Sequence, residues 1–225
     1  HRLKSRRNKR TVKGHCIPFE YVKSECYIKN AEQILDIARE SQHPVPPNLI
    51  LLETALKLLE DKGVLSPPGG HVVDASLTEL LKARLLHSDR YESLLGELFD
   101  YETEDIAREH LDVLRKIRRN VTIRHIEGDD LLGLLYMSLS NLGTRKNSGS
   151  YYTPSKLVDS LVSGSIEALD DTSIPKVLDP CCGSGNFLIR LFIALREKLV
   201  SQGMTIEQAE QCLRQECIHG FDIDP

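Results

Sequence analysis

Three short runs in this sequence assemble residue types able to hold a ligand. Asp179-Pro-Cys-Cys-Gly-Ser-Gly-Asn-Phe187 sets a carboxylate directly before a turn of small residues, where the backbone can pass close to a ligand without a Cβ clash. Gly183-Ser-Gly185 alone is a weak signal, because Gly-x-Gly also serves dinucleotide and phosphate binding. Two details argue against a nicotinamide fingerprint: position 188 is Leu where the third Gly should fall, and Asp179-Pro180 precedes the turn. A carboxylate there repels a pyrophosphate but suits a ligand carrying an ammonium and a sulfonium. The second run, Phe221-Asp-Ile-Asp224, offers Asp222 as an acceptor for the two hydroxyls of a ribose, although an ordinary strand-end cap explains it equally well. In the third, Tyr151-Tyr-Thr-Pro154, a helix N-cap at Thr153 and a first-turn proline are sufficient structural reasons for the sequence.

Positioning these runs requires particular elements. Lys176–Asp179 reads as a short buried strand, Asn186 to about Gln202 as a helix, Thr205 to about Glu216 as another opened by Thr205-Ile-Glu-Gln208, and Ile218–Asp222 as a second strand. Strand, Gly-rich turn, helix and strand form the opening unit of a parallel α/β sheet. Asp222 follows Asp179 by 43 residues, against roughly 20 between Gly loop and acid in a minimal unit; the additional helix accounts for the excess. Pro154–Leu169 is expected to be helical.

Upstream, from about Asn30 to Leu142, the pattern is helical with no convincing strand. Helices are expected over Ala31–Gln42, Asn48–Asp61 with Gly63 as its cap, Ser76 to about His87 behind the capping box Ser76-Leu-Thr-Glu79, Arg90–Phe99, Thr103–Arg119 and Asp129–Leu142. Their Leu stripes are read as core packing. The expected division is a basic arm or linker over 1–28, a helical domain over 29–143 and the start of an α/β Rossmann-like domain over 144–225.

Taken in order, Gly149-Ser-Tyr-Tyr-Thr-Pro154, Val177-Leu-Asp-Pro-Cys-Cys-Gly-Ser-Gly-Asn-Phe-Leu188 and His219-Gly-Phe-Asp-Ile-Asp-Pro225 resemble the gamma-class DNA adenine-N6 methyltransferases. That group includes modification subunits of type I restriction systems and fused type IIG restriction-methylation enzymes. Asp129-Asp-Leu-Leu-Gly-Leu-Leu-Tyr136 followed by Arg145-Lys146 also looks like the helix preceding their catalytic domain, so the strong resemblance covers about 129–225. It implies a Rossmann-like S-adenosyl-L-methionine-dependent methyltransferase domain. Tyr152 and Thr153 would line the cofactor pocket from the helix side; Asp179, Pro180, Cys181 and Gly183 would contact the methionine portion; Asp222, with Ile223 beside it, would hold the ribose and flank the adenine. Cys181 and Asn186 depart from the family, which commonly has Ala and often Gly at those places; both substitutes are small enough to fit.

The resemblance further implies double-stranded DNA as substrate, restriction-modification or phage defence as setting, and restriction or specificity subunits or fused domains as partners. The family's acceptor tetrapeptide, Asn/Asp-Pro-Pro-Tyr/Phe, binds the extruded base. None occurs here, Pro46-Pro-Asn48 having the wrong order; the chain is accordingly expected to be a fragment, inactive in methyl transfer alone, with no catalytic residue of its own. Three other readings stand beside this one: a helical docking scaffold for nuclease or specificity subunits, an RNA or protein-glutamine methyltransferase, and, more distantly, a nicotinamide dehydrogenase.

Composition narrows the field. Hydrophobic residues make up 40% and charged residues 28% of 225, as in a globular protein. No run of 18 apolar residues and no signal peptide is present, so a cytoplasmic protein with no membrane partner is expected. The first 13 residues hold seven Lys/Arg and no acid, leaving −11 for the remainder of a chain of net charge −4; such an arm either touches phosphate backbone or is a solvated tail. The six cysteines include no Cys-x-x-Cys pair, and the eight His no His-x-x-x-His spacing, so reduced thiols and no metal site are expected. Glu20-Tyr-Val-Lys23 and Glu25-Cys-Tyr-Ile-Lys29 lack the single-residue spacing of a nuclease acid and lysine, and surface ion pairing is expected of them.

Overall fold

A computed structural model describes residues 10–12, 15–66, 75–83, 108–139, 152–170 and 174–222. The first elements among the described residues are strands β1 (Arg10–Val12) and β2 (His15–Ile17), paired antiparallel with Arg10 opposite Ile17. A turn of 3₁₀-helix at Phe19–Tyr21 follows, then α1 (Glu25–Arg39), whose N-cap Ser24 accepts from the Cys26 amide. Residues 10–12 and 15–28, expected as part of an arm or linker, are thus built into the fold. Ile17, Tyr21, Val22, Tyr27 and Ile28 are all buried in the main core. Helix α1 begins six residues before the expected Ala31 and ends three before Gln42. Its first turn is secured from far away: the Asp129 carboxylate accepts from the amides of Lys23, at 3.0 Å, and Ser24, at 2.8 Å. No local sequence signal carries that contact.

Helix α2 (Pro47–Asp61) opens on proline, whose missing N–H costs nothing in a first turn, and is followed by Gly63 at φ 75°. The short α3 (Leu77–Lys82) starts at the predicted capping box, with both reciprocal bonds of Ser76 and Glu79 present. Then come α4 (Arg108–Asn120) and α5 (Leu131–Leu139). Ile34 and Leu35 of α1, Ile50 of α2, Leu114 and Ile117 of α4, and Leu131 and Leu134 of α5 meet in one apolar cluster. A second cluster, of Leu52, Leu56, Leu65, Leu77 and Leu80, seals α2 against α3. The expected helix at 90–99, the ends of the helices drawn to His87 and Leu142, and residues 103–107 lie outside the described residues.

The capping box is reinforced by Arg115, whose guanidinium reaches the Glu79 carboxylate at 2.6 and 3.0 Å while the Ser76 amide donates to it at 2.6 Å. Burial acts upward on that acid, but the Arg115 and Ser76 bonds outweigh it and hold the carboxyl below its ordinary 4.5. A depressed folded value means stability present above the unfolded value and lost as pH falls through the folded one. The difference in melting temperature between the protein and its Glu79→Gln variant is therefore expected to be fully developed above pH 4.5 and to narrow on further acidification. A difference constant down to about pH 2, well below the ordinary carboxylate range, contradicts the assignment.

Helix α6 (Ser155–Glu167) leads into the second part of the fold. Strand β3 (Val177–Asp179) is followed by α7 (Asn186–Ser201), α8 (Ile206–Cys212), one π-helical turn at Leu213–Cys217 and strand β4 (Ile218–Gly220). The two strands pair in parallel, Val177 with Ile218 and Asp179 with Gly220, as the strand, turn, helix and strand pattern requires. The capping box at Thr205 and Gln208 forms as expected, whereas the helix drawn to Glu216 changes to π geometry for its last turn. Leu195, Leu199, Ala209, Leu213 and Cys217 form a third apolar cluster that packs α7 against α8. Among the described residues no helix is long and apolar enough to cross a membrane.

Candidate functional site

The turn after β3 is shaped by two glycines and by its ties to β4. Gly183 and Gly185 take φ values of 55° and 83°, a left-handed conformation that costs other residues about 1–2 kcal/mol. A Cβ on either would meet nothing within 4 Å, so the turn turns bare backbone toward open space. The parallel ladder continues into the loop: the Phe221 amide donates to the Asp179 carbonyl and the Cys182 amide to the Phe221 carbonyl, both at 2.9 Å. The Gly183 amide donates to Oδ2 of Asp222 at 2.7 Å, and the Cys181 amide to Oδ1 of Asp179 at 3.1 Å. Two carboxylates from adjacent strand tips thus frame one glycine turn.

Both acids act on Cys182 between them. Burial first, then Asp179 and Asp222, push its thiol upward and keep it protonated. Cys217, 3.7 Å from the sulfur of Cys212, is pushed up to about 11 by burial and by that contact. Cys26, Cys181, Cys182, Cys212 and Cys217 are all free thiols, and neither Cys182 nor Cys217 has the lowered pKa of a nucleophilic cysteine.

Sequence reasoning missed Gly220. A Cβ there would fall 2.5 Å from Cδ1 of Leu188 and 3.0 Å from Sγ of Cys182, so any larger residue would require the Leu188 and Cys182 side chains to shift. The His219-Gly-Phe221 run was available as a signal, but a strand glycine is unremarkable until its neighbour is known.

The helical part of the protein also reaches the turn. Tyr21 and Ser184 both donate their hydroxyl protons to Oδ2 of Asp130, at 2.7 and 2.6 Å, and the two hydroxyls touch one another. Oδ1 of the same carboxylate accepts from the Gly133 amide at 2.8 Å and so caps α5. Burial and then Asp130 raise the Tyr21 phenol far above its ordinary value, which keeps it a donor. Tyr152 lies edge-on to Tyr21, ring centroids 6.3 Å apart. Alongside, Arg190 of α7 pairs with Asp129 at 3.0 Å and Asp159 at 3.3 Å, while Lys23 pairs with Asp159 at 2.7 Å. Lys23 thus serves an ion cluster and bridges to α6.

Of the residues singled out from sequence, Asp179, Pro180, Cys181, Gly183 and Asp222 gather at the carboxyl ends of the two parallel strands, where open α/β sheets bind ligands. Tyr152 reaches the turn through Tyr21, and the half-buried Thr153 precedes α6. Ile223 lies outside the described residues. The donor set, two carboxylates beside uncovered glycine backbone, fits a ligand with a cationic head and a sugar diol better than one with a diphosphate. Residues 127–225 match a family model described as N-6 DNA Methylase. No curated protein and no solved structure matches the chain.

Proposed function

We propose that residues 144–225 form the cofactor-binding start of a Rossmann-like, gamma-class DNA adenine-N6 methyltransferase, preceded by the helical domain read over about 29–143, into whose core residues 17–28 pack. The family match over 127–225 supports DNA N6-methyltransferase activity in general. The observation that carries the finer reading is the coincidence, inside that match, of a glycine turn with a carboxylate at each of two adjacent parallel strand tips. S-adenosyl-L-methionine, when bound, supplies a methyl group already activated on a sulfonium. Asp179, Pro180, Cys181 and Gly183 hold its methionine portion, Asp222 and Ile223 its ribose and adenine, and Tyr152 and Thr153 the side toward α6. Electrostatics favours this over a dinucleotide, because two acids at the turn attract a cation and repel a diphosphate. Double-stranded DNA is the substrate and restriction-modification or phage defence the setting, in the cytoplasm.

Titration calorimetry on the intact protein tests the reading. Saturable heat with S-adenosyl-L-methionine and none with a nicotinamide dinucleotide is expected; the opposite pattern defeats the assignment. Asp222→Ala removes the carboxylate to which this reading assigns the ribose hydroxyls, together with its bond to the Gly183 amide. It should weaken cofactor binding by about tenfold to a hundredfold, the worth of a hydrogen bond to a charged group. Wild-type affinity in that variant would show the ribose to be held elsewhere.

A further inference from the structure

The two glycines that give the turn its shape also leave it with many accessible conformations, so something must select one. Ser184 stands between them, and its hydroxyl is the loop's link to the helical part of the protein. The partner, Asp130, is 8% exposed, and Tyr21 beside it 5%. Capping α5 requires only Oδ1 of Asp130, which serves Gly133; Oδ2 is given over to the hydroxyls of Tyr21 and Ser184. Gly133 makes room for this, since a Cβ there would overlap Asp130 and Ser184 and stand 2.6 Å from the Tyr21 oxygen. An ordinary helix start has no need of a glycine at that place or of a hydroxyl from a loop 54 residues away.

We infer that Asp130, with Tyr21, is a positioning residue for the glycine turn: by holding Ser184 it selects the loop conformation that presents the backbone of 181–185 to the cofactor. The gain is preorganisation, since a loop ordered before binding loses less conformational entropy on binding. This rests on the cofactor reading proposed above, while the anchoring of the loop can be measured without it. The helical region thereby becomes part of the cofactor site, and its Asp130 acts through Ser184 without touching ligand.

The test compares Ser184→Ala, Ser184→Thr and Asp130→Ala in the intact protein, by S-adenosyl-L-methionine calorimetry and by hydrogen exchange of the 181–189 backbone. Ser184→Ala should weaken binding about tenfold, on the order of one charge-assisted hydrogen bond, and speed exchange in the loop with little change in melting temperature. Ser184→Thr keeps the hydroxyl and should restore both; Asp130→Ala, which removes the oxygen that Ser184 bonds, should loosen the loop as Ser184→Ala does and lose the cap on α5 as well. Wild-type affinity in Ser184→Ala, or equal impairment in Ser184→Thr, overturns the inference. If the unaltered protein takes up no cofactor, the functional reading fails, and the exchange rates decide the anchoring: faster in Ser184→Ala supports it, unchanged refutes it.

Discussion

Gly133→Ala is expected to destabilise the protein by about 3 kcal/mol, the upper part of the range for overpacking a filled interior. The sign is opposite to the usual one, because Ala in a helix interior is ordinarily favoured over Gly by roughly 0.5–1 kcal/mol. Gly133 lies within α5, and its missing side chain is the space in which Tyr21, Asp130 and Ser184 meet. The added methyl would stand 2.6 Å from the Tyr21 oxygen and nearer still to the oxygens of Asp130 and Ser184. Asp130 and Tyr21 are buried and bonded to one another, so neither can swing into solvent at small cost. Urea unfolding gives the free energy directly, and a variant as stable as the parent would show that the three oxygens can separate freely.

A comparably large loss, about 3–5 kcal/mol, is expected for Glu53→Ala. Glu53 is fully buried on α2, and its carboxylate accepts from the Leu77 amide at 2.8 Å and from the Thr78 amide and hydroxyl at 2.8 and 2.6 Å. Those groups form the start of α3, where unpaired amides need an acceptor. Truncation leaves three donors without their acceptor, two of them backbone, and an unpaired buried donor costs roughly 1–3 kcal/mol. Because α3 also carries Leu77 and Leu80 into the second apolar cluster, the loss should appear in cooperative unfolding and not as local fraying. A change below about 0.5 kcal/mol, within the range of ordinary surface substitutions, would mean that water replaces the carboxylate.

Many helix and turn signals carried by near neighbours were legible, but not all: Pro154, not Thr153, is the residue that caps α6, and the cap at Ser24 went unread. The capping boxes at Ser76 and Thr205 form with the partners read from sequence, Gly63 follows α2 with positive φ, and Val177–Asp179 and Ile218–Gly220 pair as parallel strands. The N-terminal region was not legible. Ile17, Phe19, Tyr21, Val22, Tyr27 and Ile28 keep neither a helical nor a strand period, and Gly14 and Pro18 interrupt them, so they signal no single element. Ile17, Tyr21 and Tyr27 are buried in one cluster with residues of α2, α4 and α5, whose positions depend on the whole fold.

What the sequence determined by itself was which residues stand at the strand tips. Asp179, Gly183, Gly185 and Asp222 follow from a strand, a turn and a strand in order, and a glycine turn is encoded by the residues within it. Tertiary structure alone decided which side chains hold that turn: Tyr21 reaches Ser184 across 163 positions and Asp130 reaches it across 54. Gly133 and Gly220 are favoured for reasons equally remote in sequence. Backbone conformation is governed by neighbouring residues and leaves a local trace, whereas a hydrogen bond between distant segments depends on packing that no local pattern records.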